Sequence, residues 1–506
     1  MKKIITILSI TLFVSNQIFA QAGSLDVSFG TGGKVIHSIG QKDDWAWCAL
    51  LQPDGKILAG GYSTVDFVQQ QSVARFNTNG TPDMSFGTGG SFVSTTERAV
   101  FDMALQSDGK IVTCGFQYNS NFYSGFAASR LNSNGTLDNS FGTNGSVRHS
   151  FGTVIEQANT IAVQSDGKIV AAGRIETGNN NYDFAMLRMN PDGTLDPTFG
   201  DAGKVKTAVG PGHDEIHDML ILPNGKILVC GSSWDANKKN HIVLAQYNAD
   251  GSLDNSFGTA GIYVGQLGEG IKILRLTDGK LLLAGREVGV TVPDAYVWKF
   301  SANGSLDNSF GINGLASVQE ISLNAATLQS DGKILICGLK FGDFATARLL
   351  ANGTLDTNFG TDGVVTTNVP SNQQLDQPHE VLTQADGKIV VVGESYTTSK
   401  HNMSLVRYFG GGGNATFEQE NFGKFTVFPN PIVEGEMLTI SVEKEFLGDL
   451  KIELIGLDGR IIKTISFAAK LSSPFNVLQA VSDLPTFFFV RVTDRESSAV
   501  RLVVKK

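Results

Sequence analysis

Cysteine is scarce, four in 506 residues, so the fold is not expected to rest on a disulfide framework. Basic charge is not in excess either. Forty Lys and Arg stand against 49 Asp and Glu, a formal charge of −9, and that argues against a nucleic-acid partner, which needs a basic stripe. Beyond residue 20 no apolar run approaches the ~20 residues of a membrane-spanning helix, so no transmembrane segment is expected in the mature chain. Helical periodicity is equally hard to find. The nucleophile elbow GxSxG, the zinc motif HExxH and the phosphate loop GxxxxGK[ST] are missing, and no carboxylate pair stands apart as a glycosidase would need. No cofactor is therefore expected. Glycine is abundant at 58 residues, but without the Gly-X-Y period of collagen, and a hydrophobic content of 41% is too high for wholesale disorder.

The first 20 residues read as a secretory signal peptide: Lys2 and Lys3 supply the positive end, Ile4 to Val14 the apolar core, and Ile18-Phe19-Ala20 a small-residue cleavage site. The mature chain is expected to leave the cytoplasm and to be secreted or attached to the outer cell surface.

Self-similarity organises the greater part of the chain. A string (D/N)GK, followed by an apolar run and Gly, begins at Asp54, Asp108, Asp166, Asn224, Asp278, Asp331 and Asp386, at spacings of 54, 58, 58, 54, 53 and 55 residues. A second string, (L/P)DxxFGxxG, also occurs seven times, around Phe29, Phe86, Phe141, Phe199, Phe257, Phe310 and Phe359. Each unit reads as four short strands, with the Phe-Gly string opening the fourth. The apolar runs are too short for helices, and the Asp-Gly and Asn-Gly dipeptides between them accept the positive φ of tight hairpins. Seven four-stranded units of this length predict an all-β fold, a seven-bladed β-propeller over residues 23–409. Cys114, Cys230 and Cys337 share one register of this repeat with Gly60, Ala172, Ala284 and Val392, a pattern of size rather than of thiol chemistry.

The order of the strings predicts how the ring closes. The first Phe-Gly string precedes the first DGK, and the last DGK, at Asp386, has no Phe-Gly string after it. The N-terminal segment should therefore supply the outer strand of the last blade. Arg75, Arg130, Arg188, Gln246, Lys299, Arg348 and Arg407 end the third strands, and Asp83, Asp138, Asp196, Asp254, Asp307, Asp356 and Asp26 follow them across the turn. This pairing is expected to be structural, since a catalytic role needs no seven copies. The turns such as Asn190-Asp192-Asp196 have oxygen-rich spacing but lack the bidentate Glu of a calcium loop, so hydrogen-bonded turns are expected there.

The combination of LDxSFGxxG with LQxDGKIxxxG resembles the delta-60 repeats of bacteria, a likeness that implies the propeller fold and no established activity. After Phe409 the composition changes. GGGGNATFEQENFGK, residues 410–424, reads as a Gly-rich linker, and residues 425–506 alternate in hydrophobicity like a small β-sandwich. VFPNP at 427–431, LIGLDGRIIKT at 454–464 and RLVVKK at 501–506 resemble the C-terminal sorting domain of the type IX secretion system of Bacteroidetes, although Thr486 stands where that family usually carries Gly. The resemblance implies that residues 425–506 engage the type IX machinery, which would carry the folded protein across the outer membrane.

Candidate ligand residues lie where the loops enter each inner strand. Seven residues before each DGK stand Trp47, Phe101, Asn159, His217, Ile271, Asn324 and His379, and one place later Cys48, Asp102, Thr160, Asp218, Lys272, Ala325 and Glu380. The most polar stretch is GHDEIHD, with His213, His217 and Asp218. His213 and His217 would lie about 13 Å apart along a strand, so no metal site is expected from them alone. Trp45 and Trp47 face one side of their strand and read either as a wedge between blades or as a stacking surface for a sugar or an aromatic side chain. Trp45, Trp47, Asp102, His213, His217, Asp218, His379 and Glu380 are thus the candidate ligand-binding residues at the channel mouth, and no catalytic residue is assigned. The function expected is a binding or scaffold module for an extracellular protein or glycan. The alternative is a hydrolase or lyase using His213, His217, His379, Asp218 and Glu380.

Overall fold

The structure is a computed structural model. It describes residues 21–94, 99–118, 121, 123–178, 181–369, 376–397 and 399–411, and the backbone of residues 425–428, 438–442, 450–456, 461–467, 475–477, 487–493 and 498–504. The expected signal peptide and nearly all of the expected linker lie outside the described residues. The chain divides into two units, and the larger one is Gln21–Gly411.

That unit is a ring of seven antiparallel four-stranded sheets. In blade one the strands run Asp44–Leu51, Ile57–Val65, Val68–Phe76 and Ser91–Val93, from the channel outwards. Each inner hairpin is set by its Asp-Gly-Lys turn. Gly55 takes φ 83°, Gln52 N–H donates to Lys56 O at 2.8 Å, and the Asp54 carboxylate accepts the Lys56 N–H at 3.1 Å. The middle strands bury both faces, so they read as continuous apolar runs. The core consequently lies between blades. Val112, Cys114, Phe126 and Ala128 of blade two, for example, pack on Ala158, Ile161, Ile169 and Ala171 of blade three. All four cysteines are free and buried in these seams.

Blade seven takes three strands from the end of the ring, Gln377–Thr383, Ile389–Thr397 and Lys400–Tyr408, and its outer strand from the beginning, Lys34–His37. Lys34 lies opposite Val406 and His37 opposite Met403. The ring is closed by its own N-terminal segment, as the order of the strings predicted.

The Phe-Gly string differs from expectation in conformation. It is a turn, and the fourth strand begins after it. The Asp83 carboxylate accepts the Ser85 N–H and hydroxyl at 3.0 and 2.7 Å, and Gly87 adopts φ 55°, a geometry no strand supplies. The turn is the latch between blades. Arg75 Nε donates to Asp83 Oδ2 at 2.8 Å, its guanidinium covers the Phe86 ring at 4.6 Å, and it also donates to Ser133 O of the next blade at 2.5 Å. Gly87 N–H donates to Asn134 O, also of the next blade, at 2.7 Å. Phe86 then lies under Gly135, where an added Cβ would stand 2.9 Å from its ring, at φ 81°. Only glycine fits that approach.

The Arg–Asp bond recurs as Arg130–Asp138, Arg188–Asp196, Arg348–Asp356 and Arg407–Asp26 at 2.7–2.9 Å, and Gln246 takes the arginine's place on Asp254. In six blades the DGK lysine joins the same aspartate, for instance Lys56 at 3.0 Å and Lys168 at 2.9 Å. Burial alone would raise the Asp83 carboxyl, but the bonds from Ser85 and Lys56 and the Arg75 charge outweigh it and hold the group well below the usual carboxylate range. Asp138 and Asp196 behave alike. These carboxyls titrate lower folded than unfolded, so the latches contribute fully above about pH 4 and fade as the pH falls below it.

The second unit contains a three-stranded antiparallel sheet, Phe425–Phe428, Leu438–Val442 and Phe475–Val477, and a four-stranded one in the order Ile461–Phe467, Leu450–Gly456, Phe487–Thr493, Ser498–Val504.

The latch makes a graded prediction. Arg348→Met leaves the buried Asp356, the latch aspartate that no DGK lysine joins among the described residues, without a cation and should cost about 3–5 kcal/mol. At Lys299 the aspartate Asp307 is held by Lys280 instead, at 2.7 Å, so Lys299→Met should cost under about 1 kcal/mol. Denaturant titration of the two variants measures the difference, and equal losses would contradict the role assigned to the arginine.

Candidate ligand-binding mouth

The innermost strands carry a β-bulge at one position in at least six blades. Register skips at Trp47, Asn159, His217, Ile271, Asn324 and His379. Phe101 is the equivalent in blade two, with its N–H donated to Cys114 O at 2.9 Å. A bulge re-aims the extra side chain, which is why the ring found seven residues before DGK lies at the mouth. It also explains the strand glycine. At Gly61 an added Cβ would stand 1.9 Å from Trp45 O of the bulge, and at Gly231 1.9 Å from Glu215 O.

Around this ring the mouth divides into two arcs. One is aromatic and runs from blade seven through blades one and two. His401 meets Trp45 at 4.4 Å, Trp45 lies on Tyr62 at 5.8 Å, and Trp47 stacks on Phe101 at 5.0 Å with only 11° between the planes. Phe101 continues to Phe116 at 5.9 Å, and Phe116 to Tyr118 at 5.3 Å, which is 45% exposed. Trp47 therefore does bridge blades one and two, yet Trp45, Trp47, Phe101 and Phe116 all remain partly exposed.

The other arc is polar and crosses blades three to seven. Arg174 pairs with Glu215 at 2.7 Å, His213 lies 3.2 Å from the same carboxylate, and Asn159 donates to it at 2.8 Å. Burial works against the Glu215 charge, but His213, His217, Arg174 and Asn159 bring its carboxyl down to about 2. His217 meets Glu269 at 3.5 Å, Glu269 pairs with Arg286 at 2.8 Å, Arg286 donates to Asn324, and Asn324 donates to Pro378 O. His379 meets Glu394 at 2.8 Å. The three histidines that sequence reasoning singled out thus sit against three different carboxylates. Asp214 is spent locally, accepting the Val209 and Gly210 N–H groups that shape the entry loop.

Asp102, Asp218 and Glu380 lie one place deeper, and the structure brings them to a common partner. Lys272 of blade five reaches Asp218 of blade four at 3.7 Å and Glu380 of blade seven at 3.4 Å, and its charge is felt by Asp102 of blade two. Asp102 is also held by Thr160 and by the Ile161 N–H, both at 2.9 Å, and Asp218 by the Ile273 N–H at 2.9 Å. Three blades thus meet at one ammonium group inside the channel, and the Asp102 charge of a fourth acts on it. Burial raises the Asp102 and Glu380 carboxyls above their ordinary range, with Lys272 opposing the rise. Burial would lower Lys272, but Asp218, Glu380 and Asp102 together raise it well above its ordinary value.

Sequence reasoning missed the role of Lys272 and the residues Arg174, Glu269, Arg286 and Glu394. Arg174, Arg286 and Glu394 come directly after the strand glycines Gly173, Gly285 and Gly393. Aligning the repeats at that glycine would have exposed them as the variable position.

Carboxyls that titrate higher folded than unfolded contribute most below their unfolded pKa and lose that contribution as pH rises through the folded value. Lys272→Met removes the cation that limits this loss. The variant should be destabilised more in alkaline than in mildly acidic solution, because protonation of the raised Asp102 and Glu380 carboxyls removes charge that Lys272 otherwise offsets. Thermal unfolding across pH reads this directly, and a pH-independent loss would contradict the channel ion cluster.

No curated protein matches the sequence. Among solved structures the chain is similar to virginiamycin B lyase from Staphylococcus aureus (12% identity, TM-score 0.43, 74% of this chain and 98% of that one). It is similar also to the polysaccharide lyase Uly1 (13%, 0.41, 76% and 92%) and to a protein of unknown function from Dyadobacter fermentans (10%, 0.40, 74% and 98%). Likenesses this distant say nothing of the chemistry at this mouth. The sequence family described as "Domain of unknown function (DUF5122) beta-propeller" matches residues 52–86, 106–141, 164–199, 222–257, 276–310, 329–359 and 384–411. Each blade of the ring thus matches one DUF5122 β-propeller repeat, the seventh drawing its Phe-Gly latch from the N-terminal segment.

Proposed function

We propose that the protein is an exported binding propeller whose mouth takes a glycan. The observation that carries this reading is the split mouth, with stacked, partly exposed rings from Trp45 to Tyr118 on one side and oriented polar groups from Arg174 to His379 on the other. A pyranose has the matching chemistry, an apolar face that stacks on aromatic rings and a rim of hydroxyls that both donate and accept hydrogen bonds. Binding rather than turnover is favoured because His213, His217 and His379 each stand against a separate carboxylate instead of converging, and Asp218 and Glu380 are paired with Lys272. The delivery route in this proposal is a signal peptide at 1–20 followed by handover of residues 425–506 to type IX secretion machinery, consistent with the resemblances of the repeat and of the tail.

Two measurements test the reading. Trp47→Ala combined with Phe101→Ala should weaken glycan binding about tenfold, since stacking of this kind contributes about 0.5–1.5 kcal/mol per ring. Unchanged binding on a glycan panel would remove the aromatic arc from the site. Deleting residues 425–506 should leave the protein in the periplasm of its host, and its normal appearance at the surface or in the medium would overturn the sorting role.

A further inference from the structure

Glu394 comes directly after Gly393 on the second strand of blade seven, the position held by Arg174 in blade three and Arg286 in blade five. Its exposure is 0%. The other two carboxylates of the mouth, Glu215 and Glu269, each have an arginine within 2.8 Å. Glu394 has none among the described residues. Its one ion-pair partner there is His379, whose Nε2 stands 2.8 Å away but out of hydrogen-bonding direction, and neither carboxylate oxygen accepts a hydrogen bond. A buried carboxylate in that condition is costly.

Across the boundary with blade one, the place that Glu215 takes opposite Arg174 is taken by Trp45. The Trp45 ring contacts Tyr62 and His401, and its buried Nε1–H has no acceptor among the described residues. Tyr62 senses the same charge: burial first, then Asp43 and Glu394, push its phenol up to about 12. The seam between blades seven and one therefore holds a carboxylate without a hydrogen-bond donor and an indole N–H without an acceptor among the described residues, beside aromatic faces that themselves attract cations.

We propose that this seam takes the ammonium group of an amino sugar, with Glu394 as its counter-ion and Trp45 Nε1–H donating to a neighbouring hydroxyl. A lysine side chain supplies donors only and leaves the indole unmet, whereas an amino sugar carries amine and hydroxyl on adjacent carbons and supplies both. The inference rests on the glycan reading above and narrows it.

The test is calorimetric titration of the full chain at about pH 6, where an amine is charged, with a glucosamine tetramer, the same tetramer N-acetylated, and a lysine tetrapeptide. The glucosamine tetramer should bind at least tenfold more tightly than its acetylated form. Glu394→Gln should erase that preference. Trp45→Arg, which brings a guanidinium to the carboxylate from within, should erase it too and serves if the first variant does not fold. Equal binding of the two tetramers overturns the ammonium assignment and leaves the glycan reading standing. Preferential binding of the lysine peptide overturns the sugar. Binding of neither tetramer overturns the inference, and the loss or retention of panel glycans in the Trp47 and Phe101 variant then judges the broader reading separately.

Discussion

The ring depends on one contact made at each blade boundary: a Phe-Gly turn pulled tight by its own aspartate and lodged beneath the turn of the next blade. A propeller blade shares no backbone ladder with its neighbours, so blades are held together by side-chain packing and by whatever bridges the seam. Here the arginine that pins the aspartate also reaches a carbonyl of the following blade, and the glycine after the phenylalanine donates across the same seam. Local turn geometry and inter-blade cohesion are thus one interaction. Where the arginine is absent, in blades four and five, the DGK lysine comes closest, with Lys226 at 2.6 Å and Lys280 at 2.7 Å.

The latches and the channel cluster respond to pH in opposite senses. Latch carboxyls such as Asp83, Asp138 and Asp196 are held below their usual range and those in the channel, Asp102 and Glu380, above it. Acid loosens the seams while base loads the axis with charge, so the ring is best balanced in between. The difference comes from the partners. Most latch aspartates have a hydroxyl, a lysine and an arginine each, whereas Asp218 and Glu380 share Lys272 and Asp102 only feels its charge.

Much of the architecture was legible in the sequence because the repeat is written in residues with single conformational meanings. Gly135 and its equivalents, Asp83 and its equivalents, and the Phe series fixed the blade count, the Arg–Asp pairs and the closing strand. The conformation of the Phe-Gly string was misread because an apolar aromatic beside glycine looks like a strand until its aspartate is seen to hold a turn. The mouth was only half legible. Bulged residues such as Trp47, His217 and His379 could be located by counting from DGK. Which side chain each would meet depends on a strand from the same or the next blade. Lys272 shows the limit most clearly, since nothing in IKILRL foretells partners in blades four and seven.

Closure by the N-terminal strand has a consequence for how the ring is assembled. Lys34 pairs with Val406, so almost the first segment of the propeller waits for almost the last. The entropy of closing so long a loop grows only with the logarithm of its length, so the finished ring loses little by it. The rate is another matter, because such distant pairings come late in folding. Until they form, the strand Lys400–Tyr408 has a bare edge, and a second copy's Lys34–His37 fits that edge as well as the chain's own. Crowded or truncated molecules would therefore exchange first strands and form swapped dimers before any core residue had failed.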